Sequence, residues 1–316
     1  MRTALVVPSN RQNSIREFLN AWKAADTRWD SIIVVEDNPE RTFDIDVDHH
    51  VSWKEIEADL KEDKWIISRR DSAIRSYGFL LAHRQGADYI FTLDDDCLPV
   101  NNRFVEDHLL NFTDTPRWVE SIPGQRTRGL PYFNMGKSNK VALSVGLWCG
   151  VPDFDSVQVL SQVPPPRDLP GARVMPSGQY FPLCGMNFCM RREITPLCYF
   201  PLQGEGYPYR RFDDIWFGVI AKKVIDHLRL QVVVGTPYIC HSKASDPMVN
   251  LVKEAPGIAA NEHFWEVIDE IELTGDDPVS CMYNVANGLI PQKDEYLAKL
   301  GQAIFRWSGL FGQSKV

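Results

Sequence analysis

Three consecutive aspartates, Asp94, Asp95 and Asp96, are the feature of this sequence that points most directly to chemistry. They follow the apolar run Tyr89–Leu93, which is typical of a buried strand. Adjacent carboxylates repel one another unless a cation neutralises them, and hard divalent metal ions prefer oxygen ligands. Because side chains alternate along a strand, we expect Asp94 and Asp96 to share one side and to bind a metal ion that holds a diphosphate. A solvated acidic turn or a helix cap is the alternative, and the position after a buried strand favours the metal site.

A second segment carries His241 and Lys243 and follows Gly235–Ile239, after a strand predicted over Gln231–Val234. A neutral imidazole at His241 can complete the shell of a metal ion. Lys243 can place a point charge against a phosphate. A lone histidine is more often structural than metal-bound, so the sequence alone leaves that alternative open for His241.

Two predicted helix starts carry further polar groups. Asp213 and Asp214 open one helix, where a carboxylate can act as a base or bind sugar hydroxyls. Aspartate is also a favoured residue of the first helical turn, which is the stronger interpretation without further information. Arg69, Arg70 and Asp71 open another helix, and this combination suits a phosphate or nucleotide as well as a simple capped helix.

Strands and helices alternate over the first hundred residues and would position these groups. Apolar runs predict strands at Ala4–Val7, Ser31–Val35, Trp65–Ile67 and Tyr89–Leu93, and helical spacing predicts helices at Ser14–Ala25 and Asp71–Gln85. This order is typical of an α/β fold with a mostly parallel sheet that helices cover on both faces. Ligands bind beyond the carboxyl ends of the strands in such sheets. The polar residues at those ends are Ser9, Asn10, Arg11, Glu36, Asp37, Ser68, Arg69 and the three aspartates.

The remainder of the chain is richer in loops and ends in helices. Helical spacing predicts helices at Asp214–Leu228, Asn261–Ile271 and Asp294–Trp307. We therefore predict a catalytic domain over residues 1–250 and a C-terminal helical extension, residues 251–316, packed on it.

Composition excludes several classes of protein. The 316 residues include 34 Lys+Arg and 42 Asp+Glu, and the net charge of −8 counts against a nucleic-acid binder with a basic surface. The sequence lacks a run of apolar residues long enough for a membrane span. Seven cysteines without a CxxC pair argue against a disulfide framework and for a reducing, cytoplasmic compartment. Gly-rich phosphate loops and a GxSxG elbow are also missing from the sequence.

Six strings resemble the reversibly glycosylated polypeptide family, whose plant members are UDP-arabinopyranose mutases. The strings are Ser68–Ala73, Tyr89–Cys97, Gly146–Trp148 with Val151–Asp155, Phe181–Asn187, Arg211–Trp216 and Pro237–Ser245. The resemblance runs in one register from residue 4 to about residue 255 and is weak beyond it. It implies a GT-A type nucleotide-sugar fold and a divalent metal, usually Mn²⁺ or Mg²⁺, on the aspartates.

The resemblance also implies roles for single residues. In GT-A enzymes the first aspartate of such a motif tends to face the ribose, and the last one tends to face the metal. A histidine later in the chain often joins the metal. Carried onto this sequence, these residues are Asp94, Asp96 and His241. Members of the family are themselves reversibly glycosylated on an arginine, and Arg128 is at the matching position. Seven residues later, where plant members carry a second functional arginine, this chain has Met135, so both a mutase and a transferase remain open.

Together these observations predict a metal-dependent enzyme acting on a UDP-sugar, with a UDP-pentose mutase as the leading hypothesis. The alternatives are a glycosyltransferase with a separate acceptor and a non-catalytic nucleotide-sugar-binding subunit. Arg128 would hold the sugar transiently, and Asp213 or Asp214 would orient it or take its proton. We expect no nucleic-acid partner and no membrane span, and a homo-oligomer is left open. The predicted nucleotide-sugar-binding residues are Pro8, Ser9, Asn10, Arg11, Asp37, Arg69, Arg70, Asp71, Asp94, Asp95 and Lys243.

Overall fold

The fold is built around a nine-stranded β-sheet. The structure is a computed structural model that describes residues 1–113, 117–118, 128–165, 171–241 and 246–312. The strands are β1 (Thr3–Ser9), β2 (Ser31–Glu36), β3 (His49–Val51), β4 (Tyr89–Leu93), β5 (Cys97–Pro99), β6 (Val141–Gly150), β7 (Arg173–Val174), β8 (Asn187–Arg191) and β9 (Gln231–His241). Their order is β3-β2-β1-β4-β8-β6-β9-β5, and β7 pairs with β9.

Most strands of this sheet run in one direction. β1 is parallel to β2 and β4, and β2 is parallel to β3. β8 is antiparallel to both β4 and β6, so β6 and its parallel neighbour β9 run in the same direction as β4. β5 and β7 are antiparallel to β9. The predicted α/β fold with a mostly parallel sheet is confirmed.

Helices cover both faces of the sheet. They are α1 (Gln12–Ala24), α2 (Trp53–Leu60), α3 (Arg75–Arg84), α4 (Phe104–Leu110), α5 (Ser156–Leu160), α6 (Asp213–His227), α7 (Pro247–Asp269), α8 (Pro278–Leu289) and α9 (Glu295–Gly309). Leu5 and Val7 of β1 belong to a core cluster with Phe18 of α1 and Phe104 of α4. Val6 faces the opposite way, into a cluster with residues of α3, α6, α8 and α9. The apolar run of β1 is therefore buried on both sides.

The predicted C-terminal helices are present and share the main core. Trp307 of α9 is fully buried, packs against Tyr199 at 5.4 Å between ring centroids with the rings tilted by 37°, and donates its indole N–H to Pro196 O at 2.9 Å. The 23-residue helix α7 crosses the predicted domain boundary at residue 250, and that division stays a prediction. Among the described residues, no helix combines the length and the apolar character that crossing a bilayer requires.

The third predicted strand is wrong. Residues Trp65–Ile67 do not form a strand, because a 3-10 helix spans Lys61–Ile66, and the strand beside β2 is β3. Ile66 and Ile67 are buried in the core, so the short apolar run indicates buried residues and not a strand. In β3, His50 Nε2 lies 2.6 Å from Glu36 Oε2, a contact between strands that no local pattern reveals.

Candidate active site

A cavity of about 450 Å³ opens at the carboxyl ends of β1, β2 and β4. The structure brings most of the predicted site residues to its walls, namely Pro8, Ser9, Asn10, Arg11, Asp37, Arg70, Asp71, Asp94, Asp95, Asp213 and Asp214. They come from segments that are far apart in the sequence and meet because parallel strands end at one edge of the sheet.

The middle aspartate of the acidic motif anchors the end of β1. Asp95 is only 4% exposed and accepts hydrogen bonds from Ser9 Oγ at 2.5 Å and Arg11 Nε at 3.2 Å. Burial raises the pKa of Asp95, although the bonds from Arg11 and Ser9 oppose that shift. Asp95 therefore fixes Ser9 and Arg11 at the cavity wall.

The first aspartate is held by a buried arginine that the sequence analysis did not single out. Arg75, at the start of α3, is 1% exposed and forms an ion pair with Asp94. Its guanidinium also donates to Thr92 Oγ1 at 3.1 Å and to Gly185 O at 2.5 Å. The helix predicted over Asp71–Gln85 contains Arg75 among apolar residues. A charged residue in a mostly buried helix is the sequence signal that could have identified Arg75 as part of the site.

The third aspartate lies beside the predicted histidine. The three aspartates form a turn between β4 and β5 rather than continuing β4, so the alternation of a strand does not set their directions. In the antiparallel pair β5–β9, Cys97 is opposite His241, and this register leaves Asp96 Oδ1 4.0 Å from His241 Nε2. Asp96 also accepts a hydrogen bond from Arg11 at 3.0 Å.

Asp96 and His241 fit a divalent metal ion. His241 Nδ1 lies 3.0 Å from Val151 O, and since a carbonyl only accepts, the proton is assigned to Nδ1 and the lone pair of Nε2 faces Asp96. In the described part of the chain, no three His, Cys, Asp or Glu side chains are grouped to hold a metal ion. Mg²⁺ commonly takes one or two carboxylates and completes its shell with substrate phosphates and water, so a small protein ligand set is sufficient.

Asp213 and Asp214, the first residues of α6, face the cavity. Asp213 accepts a hydrogen bond from Ser72 Oγ at 2.6 Å, and Asp214 accepts one from the Gly185 amide at 2.8 Å. A Cβ atom at Gly185 would lie 3.0 Å from the Asp214 Cβ, so a larger residue there would force its neighbours to shift by a few tenths of an ångström. The structure therefore places both carboxylates at the floor of the cavity.

Burial and the charges of neighbouring carboxylates raise the pKa values in this group. Burial, together with the charges of Asp213 and Asp153, raises the pKa of Asp214 to about 8. Burial and the charge of Asp213 also raise the pKa of Asp71 well above its ordinary value. A group of carboxylates that cannot all ionise near neutral pH is suited to accept and return a proton during a reaction.

Asp37 organises the end of the cavity that lies beside β2. It is 4% exposed and accepts hydrogen bonds from Trp53 Nε1 at 2.7 Å and from the Asp71 amide at 3.0 Å. The guanidinium of Arg70 lies 5.0 Å from the centroid of the Trp53 ring. This end offers a polar wall and a stacked cation, which suit a nucleoside.

Four of the predicted residues that the structure describes do not line the cavity, and two of them are the neighbours Asp96 and His241. The other two are Arg69 and Arg128. Arg69 forms an ion pair with Glu57 and stacks over Trp53 at 4.7 Å. Arg128 is exposed and does not line the cavity. Lys243 lies outside the described residues.

The cavity also contains residues that the sequence analysis did not assign to the site. Asp153 and Cys184 lie together, with the thiol donating to Asp153 Oδ2 at 2.6 Å, and both belong to strings that carried the family resemblance. Asn250 and Lys253 of α7 line the cavity as well, although the helix was predicted to begin only at Asn261. Their contribution depends on how α7 packs, which local spacing does not reveal.

Comparisons with known proteins agree with the expected family. The sequence model of the family described as "reversibly glycosylated polypeptide" matches residues 3–315. "Probable UDP-arabinopyranose mutase 1" of Zea mays is 33% identical over 96% of this chain and 88% of that protein. "UDP-arabinopyranose mutase 1" of Arabidopsis thaliana is 33% identical over 96% of this chain and 90% of that protein. Among solved structures, glucosyl-3-phosphoglycerate synthase from Mycobacterium tuberculosis aligns with a TM-score of 0.48 and 13% identity over 84% of this chain and 79% of that chain.

We predict that Asp214→Asn stabilises the protein more at alkaline than at acidic pH. The pKa of Asp214 in the folded protein, about 8, is above that of an unfolded aspartate, about 3.9. The folded state therefore holds the proton more tightly, and the stability contributed by this group falls as the pH rises between those values. Asparagine retains an acceptor for the Gly185 amide and removes the charge. The melting temperature of the variant relative to wild type should be higher by about 2 °C or more at pH 8.5 than at pH 5.

The exposed Asp46 provides the control, since Asp46→Asn should change the melting temperature similarly at both pH values. An equal loss of stability at pH 5 and pH 8.5 in Asp214→Asn would show that Asp214 is ionised throughout this range.

Proposed function

The chain belongs to the reversibly glycosylated polypeptide family, and from this premise we propose that it is a metal-dependent UDP-sugar mutase. Its reaction would interconvert the pyranose and furanose forms of a UDP-pentose such as UDP-arabinopyranose, which makes it an isomerase. The observation that carries the proposal is the cavity, where Asp94 and Asp95 of the acidic turn meet the Asp213–Asp214 pair in a chain that matches named mutases over almost its whole length.

Asp96 and His241, with Asp94 beside them, are the residues that would hold Mn²⁺ or Mg²⁺. The ion would stabilise the negative charge that develops on the diphosphate as the bond to the sugar breaks. Arg75 keeps Asp94 oriented, and the Val151 carbonyl fixes the ring of His241. The metal dependence rests on this donor set and on the family resemblance.

The remaining cavity residues would divide between the two ends of the substrate. Asp37 and Arg70, with the Ser9–Arg11 segment, would bind the nucleoside through hydrogen bonds and stacking. Asp213 and Asp214 would lie against the sugar, where one ionised and one protonated carboxyl can bind hydroxyls and move a proton. The raised pKa of Asp214 keeps this exchange accessible near neutral pH.

Arg128 is the proposed temporary acceptor of the sugar. In this step the bond between the anomeric carbon and UDP breaks, a bond from that carbon to a guanidinium nitrogen forms, and the guanidinium proton passes to a carboxylate. A free guanidinium is protonated and a poor nucleophile, so it requires a base such as Asp213 or Asp214. Arg128 is exposed in the structure, and this step requires its side chain to reach the cavity.

A glycosyltransferase is the second candidate, and two observations favour it. Met135 stands where plant members of the family carry a second arginine, and Arg128 does not line the cavity. In a transferase the same carboxylates would take the proton from the hydroxyl of a separate acceptor.

Analysis of the products formed from a UDP-sugar alone tests the proposed function. With UDP-arabinopyranose and Mn²⁺, the mutase should produce the UDP-furanose without any other acceptor, detected by chromatography against standards. A transferase would give only slow hydrolysis to free sugar under these conditions. Tight binding of UDP without turnover of any donor sugar would instead identify a non-catalytic binding subunit.

We predict that Asp96→Asn weakens the metal-dependent binding of UDP at least tenfold, or about 1.4 kcal/mol, in titration calorimetry. Asparagine retains the shape of the side chain but removes the charge that attracts the metal. His241→Ala should also weaken Mn²⁺ binding, while the melting temperature of the metal-free protein changes little. Asp46→Asn is the matched control.

Wild-type affinity for UDP that is the same with Mn²⁺ and with EDTA would contradict the metal site. A large fall in the melting temperature of metal-free His241→Ala would show that His241 is structural.

We predict one covalently attached sugar on Arg128 after incubation with a labelled UDP-sugar. Intact-mass spectrometry should detect the adduct, and excess UDP should remove it because the transfer is reversible. Arg128→Lys keeps the positive charge but lacks the guanidinium and should lose the adduct. Continued turnover of a donor sugar without any adduct on wild type would exclude Arg128 as the acceptor and favour the transferase.

A further inference from the structure

The mouth of the cavity carries a group of cationic and polar side chains that the proposed mechanism does not use. We call Arg210, Arg211, Asn250 and Lys253 the cationic rim. Arg210 and Arg211 precede α6, whereas Asn250 and Lys253 lie on the first turns of α7. The rim therefore joins the loop that leads to Asp213 and Asp214 with the helix that borders the cavity.

The carboxylates of the cavity already have donors within the protein. Their partners are Trp53 for Asp37, Ala73 for Asp71, Arg75 for Asp94, Ser9 for Asp95, Cys184 for Asp153, Ser72 for Asp213 and Gly185 for Asp214. Arg11 and Arg75 in turn are paired with these aspartates. The carboxylates of the cavity are thus hydrogen-bonded without any contribution from Arg210 or Lys253, although the cavity keeps an excess of acidic groups.

Arg210 and Lys253 differ from the other cations of the cavity. Both are exposed, and neither side chain forms a hydrogen bond or an ion pair with a residue in the described ranges. A cation without a protein partner at the mouth of a binding cavity attracts an anionic ligand, because its charge is not already neutralised.

The intervening ion pair holds these two cations near each other. Arg211 Nε donates to Glu254 Oε1 at 2.7 Å, and Glu254 is only 3% exposed and also accepts the Ser156 amide at 2.9 Å. Arg211 adopts a φ of 66°, a left-handed conformation that is costly for a residue with a side chain. Since Arg210 and Lys253 are the immediate neighbours of this pair, their backbones are fixed at the same side of the mouth.

We propose that Arg210 and Lys253 bind the diphosphate of UDP and retain the nucleotide after its bond to the sugar has broken. This inference rests on the proposed function, in which UDP must stay until the rearranged sugar is returned to it. Free UDP carries more negative charge than the UDP-sugar, so two unpaired cations strengthen their hold as the bond breaks. The aspartate-rich floor of the cavity would otherwise repel the departing nucleotide.

Titration calorimetry with UDP and with uridine, both in the presence of Mn²⁺, tests this assignment. The Arg210→Gln, Lys253→Gln double variant should bind UDP at least tenfold more weakly than wild type and bind uridine unchanged, because only UDP carries the diphosphate. The charge-conserving Arg210→Lys and Lys253→Arg variants should retain most of the affinity. Lys293→Gln, at an exposed lysine that does not line the cavity, should bind both ligands like wild type.

Product analysis provides a second measurement on the same proteins. In the double variant, free pentose from hydrolysis should increase relative to the rearranged UDP-sugar, because UDP leaves before it can recapture the sugar. Wild-type affinity for UDP in the double variant would overturn the assignment, as would an equal loss of affinity for UDP and uridine. In both cases, wild-type binding and turnover of the UDP-sugar would leave the proposed function intact. Failure of wild type to bind UDP would instead overturn the proposed function and the rim assignment together.

Discussion

The ion pair between the buried Arg75 and Asp94 is the interaction on which the rest of the site depends. Arg75 brings a positive charge into the core and there contacts β4 through Thr92, the acidic turn through Asp94 and the loop before β8 through Gly185. The nearby carboxylates of Asp213 and Asp214 help to keep its pKa raised despite burial. An unpaired charge at this depth would be strongly destabilising, so the cation and its carboxylates must fold together.

The site combines residues from the parallel strands of the sheet with residues from the antiparallel pair β5–β9. Parallel strands bring Ser9, Asp37 and Asp94 to one edge of the sheet, and the antiparallel pair β5–β9 places His241 beside Asp96 of the adjoining turn. In the proposed function, the nucleoside would bind beside Asp37 and the sugar beside Asp214. This division is what a UDP-sugar requires, since its two ends differ in chemistry and are joined by a diphosphate.

Retention of the nucleotide by the cationic rim would distinguish the proposed mutase from a transferase. A mutase has to keep the leaving nucleotide, whereas a transferase releases it after a single transfer. Arg210 and Lys253 lie on the same side of the mouth because Arg211 and Glu254 pair between them, at the expense of an unfavourable backbone conformation at Arg211. Retention of UDP would thus depend on the packing of α7 against the loop before α6.

The sequence by itself determined the α/β class, the strand Tyr89–Leu93 that precedes the three aspartates, and the first turn of α6 at Asp213. These features follow from local apolar patterns and helix-start residues. It also determined most of the polar residues at the strand ends, since a parallel sheet gathers them at one edge. Only the tertiary structure decided that Trp65–Ile67 is not a strand, that Arg75 is a buried partner of Asp94, and that α7 reaches the cavity with Lys253. Those features depend on contacts between segments distant in sequence, and their free energies arise from burial and charge pairing that no local spacing records.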